Sequence, residues 1–193
     1  MNDLSTEAAR RRAIAWATAL ATNTSLFPQA YEQGLLDEYA VGALSLEQVL
    51  KLLEERVQHV LYRSRATQVF SEQQLSELLA ESRAWNEQHG ITGLLCYSDR
   101  QFVQLLEGKA GPVDLLYARI QRDARHQQVT TLSQAHNAQR FFADWQMGFV
   151  RVEADEFHWV LTGLEHPSDN ASLIEQYVKD PHLRTLLQAF SQA

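Results

Sequence analysis

The spacing of apolar residues changes at Val57, and this change constrains the fold more than any other feature of the chain. Upstream of it, apolar residues recur at helical intervals, as Leu46 and Val49 do. Just after it the helical interval disappears, and an extended chain would place Val60 and Tyr62 on one face. The chain therefore passes from a helical region into one that contains β-strands.

Five strands and two helices are predicted between residues 57 and 150. The predicted strands cover residues 59–64, 91–97, 102–107, 129–132 and 145–150. Ser71 and Gln74 have the spacing of a capping box and begin the first helix, which Gly90 stops, while Pro112 suits the first turn of the second. The order β-α-β-β-α-β-β predicts an α+β fold of the ferredoxin-like type, with one added strand and two helices on one face of the sheet.

Helices are predicted on both sides of this region. Three short ones precede it and begin near Ser5, Pro28 and Ser45. Three more follow, near residues 155–164, 172–179 and 181–190. We divide the chain into a helical N-terminal extension (1–56), a central domain (57–150) and C-terminal helices (151–193). Because the first three helices have modest apolar content, we expect them to pack on the rest of the chain or on a second subunit.

Composition and charge exclude several classes of protein. The chain has 193 residues with 17 Lys and Arg against 24 Asp and Glu, a net charge of −7, so direct nucleic-acid binding is not expected. The single Cys96 cannot form an intrachain disulfide, and no apolar run approaches the roughly 20 residues that cross a bilayer, so we expect a cytoplasmic protein off the membrane. The seven His show no paired metal-ligand spacing, and we expect no metal site.

Three polar side chains occupy positions where the pattern expects apolar ones. Asn86 lies on the apolar stripe of its predicted helix, and Gln104 and Tyr62 lie on apolar strand faces. A buried amide without partners costs about 1–3 kcal/mol, so the protein or a ligand must satisfy each group. Singly, each is explained as a core residue bonded to its neighbours. Together they favour a planar ligand with polar edges in an apolar slot.

Five motifs carry a resemblance to a known family. They are Tyr62-Arg63-Ser64, Asn86 with Gly90-Ile91-Thr92-Gly93-Leu94-Leu95, Phe102-Val103-Gln104-Leu105-Leu106-Glu107-Gly108, Arg119-Ile120-Gln121-Arg122-Asp123-Ala124-Arg125-His126, and Trp145-Gln146-Met147. In this order they resemble the BLUF family, the flavin-binding sensors of blue light. The resemblance runs from about Val57 to Val150 and implies a photoreceptor with a ferredoxin-like fold that is not an enzyme.

The resemblance implies a noncovalently bound FAD whose ring lies between the two predicted helices. It implies that Tyr62 donates an electron and that Gln104 bridges Tyr62 and the flavin. Asn86 is implied to hold the carbonyl and imide edge of the flavin. Trp85, beside Asn86, is bulkier than the side chains associated with that position.

Further positions match residues of the family. Arg119 and Asp123 correspond to positions that contact the flavin ring edge or its side chain. Trp145 and Met147 correspond to the strand that rearranges after illumination. His126 ends a basic patch that is a candidate to steady the FAD side chain, although a solvated helix end explains such a patch equally well.

We also predict how the signal leaves the protein. No catalytic motif accompanies the resemblance, so we expect the signal to leave by contact with an unidentified downstream protein, and we expect a homo-oligomer. We expect the flanking helices to form the surface that contacts the downstream protein and the second subunit. The alternative is a flavin-free helical adaptor or antitoxin-like regulatory protein, and a small enzyme on this fold ranks third because no acid/base pair is evident.

Overall fold

The computed structural model describes residues 4–24, 26–166 and 171–190, so the first and last predicted regions extend into residues outside this description. The elements are α1 (Glu7–Ala21), α2 (Ala30–Val41), α3 (Leu46–Glu55), β1 (Val57–Ala66), α4 (Glu72–His89), β2 (Thr92–Ser98), β3 (Gln101–Gly108), α5 (Ala110–Arg122), β4 (His126–Asn137), β5 (Gly148–Arg151), α6 (Ala154–Glu165), α7 (Ala171–Tyr177) and α8 (Pro181–Phe190). Their order from β1 to β5 is the predicted one.

The described chain forms two compact units. The smaller contains α1, α2 and α3 together with residues 135–139, which include the end of β4. Within it, His136 lies 2.6 Å from the Glu32 carboxylate of α2. The larger unit contains the rest of the sheet and the helices from α4 to α8.

The sheet has five strands in the order β4-β1-β3-β2-β5. β3 lies antiparallel to both β1 and β2, while β5 runs parallel to β2, so the sheet is mixed. The first four strands have the ferredoxin-like order, and β5 is the added strand, as predicted. The register of β1 and β3 places Tyr62 directly opposite Gln104.

Local sequence signals explain the ends of the elements that carry the site. Ser71 and Gln74 form the predicted capping box of α4, and Gly90 ends that helix in the left-handed conformation (φ 62°) that glycine adopts without strain. Asp99 and Arg100, at φ 39° and 66°, make the two-residue turn between β2 and β3. These signals fix the two ends of α4 and the turn of the β2–β3 hairpin.

The predicted last strand is too long at its beginning. It was expected over residues 145–150, but β5 begins at Gly148. The backbone carbonyls of Gln146 and Met147 accept hydrogen bonds from side chains of α4, Asn86 and Arg83, and are not used by a strand ladder. The strand therefore starts only after Met147.

Both faces of the sheet are covered. One face packs against α4 and α5, around Val60, Leu79 and Val113. The other packs against α6 and α8, around Leu105, Val160 and Leu186. The prediction placed two helices on one face, and the structure adds the C-terminal helices on the opposite face. Among the described residues, no helix has the length and apolar character needed to span a bilayer.

Candidate functional site

A cleft lies between α4, α5 and the sheet. It is lined by Tyr62, Leu78, Glu81, Ser82, Trp85, Asn86, Leu95, Phe102, Gln104, Leu116, Arg119, Ile120, Asp123, Arg125, His126 and Met147. The lining thus includes every predicted site residue except Trp145. Glu81 was not predicted, although its position four residues before Trp85 on α4 is a helical spacing that could have indicated it.

A hydrogen-bonded row of three side chains forms the floor of the cleft. The Tyr62 hydroxyl donates to Gln104 Oε1, and Gln104 Nε2 donates to Met147 Sδ at 3.3 Å. The first contact exists because the antiparallel register sets Tyr62 and Gln104 opposite each other. Burial raises the pKa of Tyr62, and the nearby Tyr117 raises it further, so the phenol stays protonated and acts as a donor.

Asn86 leaves one polar atom open in this cleft. Its side chain is 1% exposed, and its Nδ2 donates to the Gln146 carbonyl. Its Oδ1 is buried without a hydrogen-bond partner among the described residues. The neighbouring Trp85 Nε1 is likewise buried and unpartnered within the described part of the chain. A buried acceptor and a buried donor are therefore available to a bound group, and each costs stability while unpaired.

Charged residues of α4 and α5, and of the chain that follows α5, also line the cleft. The Arg119 guanidinium of α5 lies over the Trp85 ring of α4, 5.1 Å from its centroid. Arg125 pairs with Asp123 at 2.7 Å and also reaches Glu81 at 3.4 Å. The hydrogen bond from Arg125 lowers the pKa of Asp123, which keeps that carboxylate ionised.

His126 lies at the start of β4, on the wall of the cleft. Its Nδ1 is 3.0 Å from Ser64 Oγ. Burial lowers the pKa of His126, with Asp123 opposing and Arg125 adding to the shift, so the ring is neutral at neutral pH.

The structure separates Trp145 from Met147. Met147 lies in the cleft, whereas the Trp145 ring packs in the core of the opposite face, 4.3 Å between ring centroids from His182 of α8 and 6.0 Å from Phe142. Residues two apart share a face only in a strand, and this segment precedes the strand.

Comparison with known proteins connects this geometry to one family. Residues 57–148, just under half of the chain, match the family described as "BLUF: Sensors of blue-light using FAD". Residues 57–148 form a BLUF domain. The predicted family resemblance and the ferredoxin-like fold are thereby confirmed.

Solved structures resemble the chain over a longer stretch than the BLUF domain. The dark-state structure of BlrB, a BLUF protein, is 26% identical with a TM-score of 0.52, and the match covers 70% of this chain and 98% of BlrB. The photo-activated state of BlsA is 27% identical with a TM-score of 0.52, covering 71% and 96% of the two chains.

Among curated proteins, the matches are to photoactivated adenylate cyclases. The beta-like protein FB of Euglena gracilis is 37% identical over 93 residues, which are 48% of this chain and 11% of that protein. The beta subunit from the same organism is 38% identical over 87 residues, 45% and 10% of the two chains. The chain spans about a tenth of the length of these relatives.

Proposed function

We propose that this protein is a blue-light sensor that binds FAD in the cleft and signals by rearranging hydrogen bonds around Gln104. One observation carries the proposal: the buried row Tyr62, Gln104 and Met147 lies in the same cleft as Asn86 Oδ1, which has no partner among the described residues. The family match favours this reading over a flavin-free helical adaptor.

The open polar atoms of the cleft fit a flavin. The pyrimidine end of an isoalloxazine ring carries an N–H donor between two carbonyl acceptors. Asn86 Oδ1 can accept from such a donor, and Trp85 Nε1 can donate to such an acceptor. Arg119 and His126 line the same cleft and are our candidates to hold the FAD side chain, while Asp123 orients Arg125 there.

The photochemistry that we propose uses the row on the cleft floor. A bound flavin supplies, on absorbing blue light, an excited ring that accepts an electron. Tyr62 would be the residue that supplies such an electron, and the proton that its hydroxyl then releases would pass along the existing hydrogen bond to Gln104 Oε1. Both would return to Tyr62 at the end, so no substrate would be consumed.

Gln104 is suited to record this event because its amide carries both an acceptor and two donors. Rotation or tautomerisation reverses the direction of its hydrogen bonds. Met147 sulfur accepts weakly and cannot donate, so reversal of the amide removes the Gln104–Met147 hydrogen bond. We therefore propose that the segment before β5, with Met147 and Trp145, changes its packing after illumination.

Output by protein–protein contact agrees with the surface of the N-terminal extension. No residue of α1 is buried, and its Trp16 and Leu20 are 69% and 64% exposed. Because these two residues are four positions apart on one helix, their side chains lie next to each other, and a contiguous exposed apolar patch is typical of a binding surface. We propose that residues 1–56 and 151–193 flank the BLUF domain as signalling helices, that a partner protein or a second copy binds there, and that the protein works in the cytoplasm.

Absorption spectroscopy of the purified chain after mixing with FAD tests the proposal. The chain should retain FAD on desalting, and blue light should shift its flavin bands reversibly to the red. Tyr62→Phe and Gln104→Ala should retain FAD but lose the shift. Tyr117→Phe is the matched control, since its ring lies 5.2 Å from that of Tyr62 but its hydroxyl bonds to Thr131, and it should keep the shift. A chain that stays colourless contradicts the proposal.

A further inference from the structure

Glu107 is a fully buried carboxylate that the proposed photochemistry does not use. It lies near the end of β3, three residues after Gln104 and on the opposite face of the sheet, and it is 0% exposed. In the sheet it stands between His59 of β1 and Thr92 of β2, which are its direct cross-strand neighbours. A buried carboxylate persists only where donors surround it.

The donors come from the chain that follows β4. The backbone N–H of Phe141 donates to Glu107 Oε1 at 2.6 Å, and that of Phe142 donates to Oε2 at 2.9 Å. Thr92 Oγ1 donates to Oε2 at 3.4 Å, and His59 Nε2 lies 3.1 Å from Oε1, outside hydrogen-bond geometry. Both carboxylate oxygens of Glu107 therefore accept hydrogen bonds from the protein.

Arg140 binds backbone groups and the Thr92 side chain next to Glu107. Its guanidinium donates to the Glu107 backbone carbonyl at 3.1 Å, to Thr92 Oγ1 at 2.8 Å and to the Gly90 carbonyl at 2.6 Å. Hydrogen bonds to charged groups are the stronger ones in proteins. Residues 140–142 are therefore attached to three elements at once: the end of α4, β2 and β3.

The segment of residues 140–147, which begins at this anchor, ends at the cleft. Met147 Sδ accepts from Gln104, the Gln146 carbonyl accepts from Asn86, and the Met147 carbonyl accepts from Arg83 Nε at 3.1 Å. Glu107 holds the start of the segment and Gln104 its end, and both belong to β3. The position of Met147 against Gln104 thus depends on both attachments.

We propose that Glu107 is a positioning residue for the light reaction, which holds the 140–147 segment so that Met147 returns to Gln104 and thereby sets the lifetime of the light-induced state. This inference rests on the proposed function. The anchor lies on the face away from the cleft, so it stays in place when Gln104 reverses its hydrogen bonds. An anchored segment opposes the new arrangement and speeds the return to the old one.

The test is the dark recovery of the red-shifted absorbance in Glu107→Gln. The amide keeps the size of the side chain but sets an NH₂ group against a backbone N–H, so one of the two anchoring bonds is lost. Recovery should slow by about tenfold, the factor expected for the loss of one charge-assisted hydrogen bond. Amide hydrogen exchange at Phe141 and Phe142 should become faster in the same variant.

Phe157→Leu is the control for general loosening. Phe157 of α6 is buried in the same core face, but it lines a pocket with Arg63 and Gln101, at the end of β3 opposite Glu107, and the substitution lowers stability through a cavity. Its recovery should stay within about twofold of the parent, since the segment keeps its attachment. If Phe157→Leu slows recovery as much as Glu107→Gln does, the inference is overturned.

Arg140→Met supplies a second variant should Glu107→Gln fail to fold. It removes three hydrogen bonds of the anchor, but Arg140 is only half-buried, so water replaces these bonds in part. The carboxylate bonds to Phe141 and Phe142 remain, and we expect recovery about threefold slower. A normal light shift with unchanged recovery in the folded variants overturns the inference alone. A parent chain that takes up no FAD overturns the proposed function and this inference with it.

Discussion

The two faces of the sheet each bury a polar site, and the sites differ in whether the protein completes them. On the face toward α6 and α8, both oxygens of Glu107 have donors from the chain. On the face toward α4 and α5, Asn86 Oδ1 and Trp85 Nε1 have no partner among the described residues. A buried carboxylate costs more than a neutral amide or indole, so the protein must complete the Glu107 site itself, whereas the neutral groups can be completed by a ligand.

The largest expected effect compares the two sites in the flavin-free chain. Glu107→Ala leaves the Phe141 and Phe142 N–H groups buried without acceptors and should lower the free energy of unfolding by about 3 kcal/mol. Asn86→Leu removes a buried oxygen that has no partner among the described residues, together with the hydrogen bond from Nδ2 to the Gln146 carbonyl. Because these two effects on the free energy of unfolding oppose each other, it should change by less than about 1 kcal/mol. Urea unfolding followed by circular dichroism measures both. Equal losses of unfolding free energy in the two variants would contradict the proposed difference between the two sites.

For flavin affinity, in contrast to stability, we expect the large effect at Asn86. Asn86→Leu deletes a predicted ligand contact inside the cleft, and the Kd for FAD should rise by about 10- to 100-fold. Leu94→Ala, a core substitution on the opposite face, should leave the Kd within about threefold of the parent. A titration that follows flavin fluorescence in darkness gives the values. An unchanged Kd in Asn86→Leu would place the flavin elsewhere.

Sequence reasoning reached most of this fold because its signals are local. The capping box at Ser71 and Gln74 and the glycine at position 90 bound α4, and the spacing along that helix correctly turned Asn86 inward. The alternation on the strands likewise predicted that Tyr62 and Gln104 are buried on one face. Each of these inferences needs only residues within one element.

The features that the sequence did not predict depend on contacts between residues far apart in the chain. The prediction of a strand over residues 145–147 is wrong because two α4 side chains, Asn86 and Arg83, bind the carbonyls of Gln146 and Met147. These partners are 60 and 64 residues apart in sequence. The Glu107 site was not predicted since its donors, Phe141 and Phe142, come 34 and 35 residues later. No periodicity in the sequence reports such pairs.

A smaller effect is expected at Trp85. Trp85→Phe keeps an aromatic plane under the Arg119 guanidinium but removes the N–H, which no group in the described part of the chain accepts. The Kd for FAD should therefore rise by about fivefold. The stability of the flavin-free chain should be unchanged or slightly higher. Trp159→Phe, in the core of the opposite face, serves as the control and should leave FAD binding unchanged. Tighter FAD binding by Trp85→Phe would contradict the assigned donor.

The smallest effect concerns pH. Because burial lowers the pKa of His126, the unfolded chain binds this proton at a higher pH than the folded chain does. The contribution of His126 is therefore fully present above its ordinary pKa near 6.5 and is lost as the pH falls through the lower, folded value. Urea unfolding at pH 7.5 and 5.5 should show less loss of stability in His126→Gln than in the parent. His158→Gln, exposed on α6, should behave like the parent.

Nuclear magnetic resonance of ¹⁵N-labelled protein, titrated with FAD in darkness, tests the central contrast most directly. The indole N–H of Trp85 and the side-chain amide of Asn86 report the incomplete site, and the backbone N–H groups of Phe141 and Phe142 report the complete one. We predict that FAD shifts the Trp85 and Asn86 resonances and leaves those of Phe141 and Phe142 in place. Shifts confined to Phe141 and Phe142 would contradict the account.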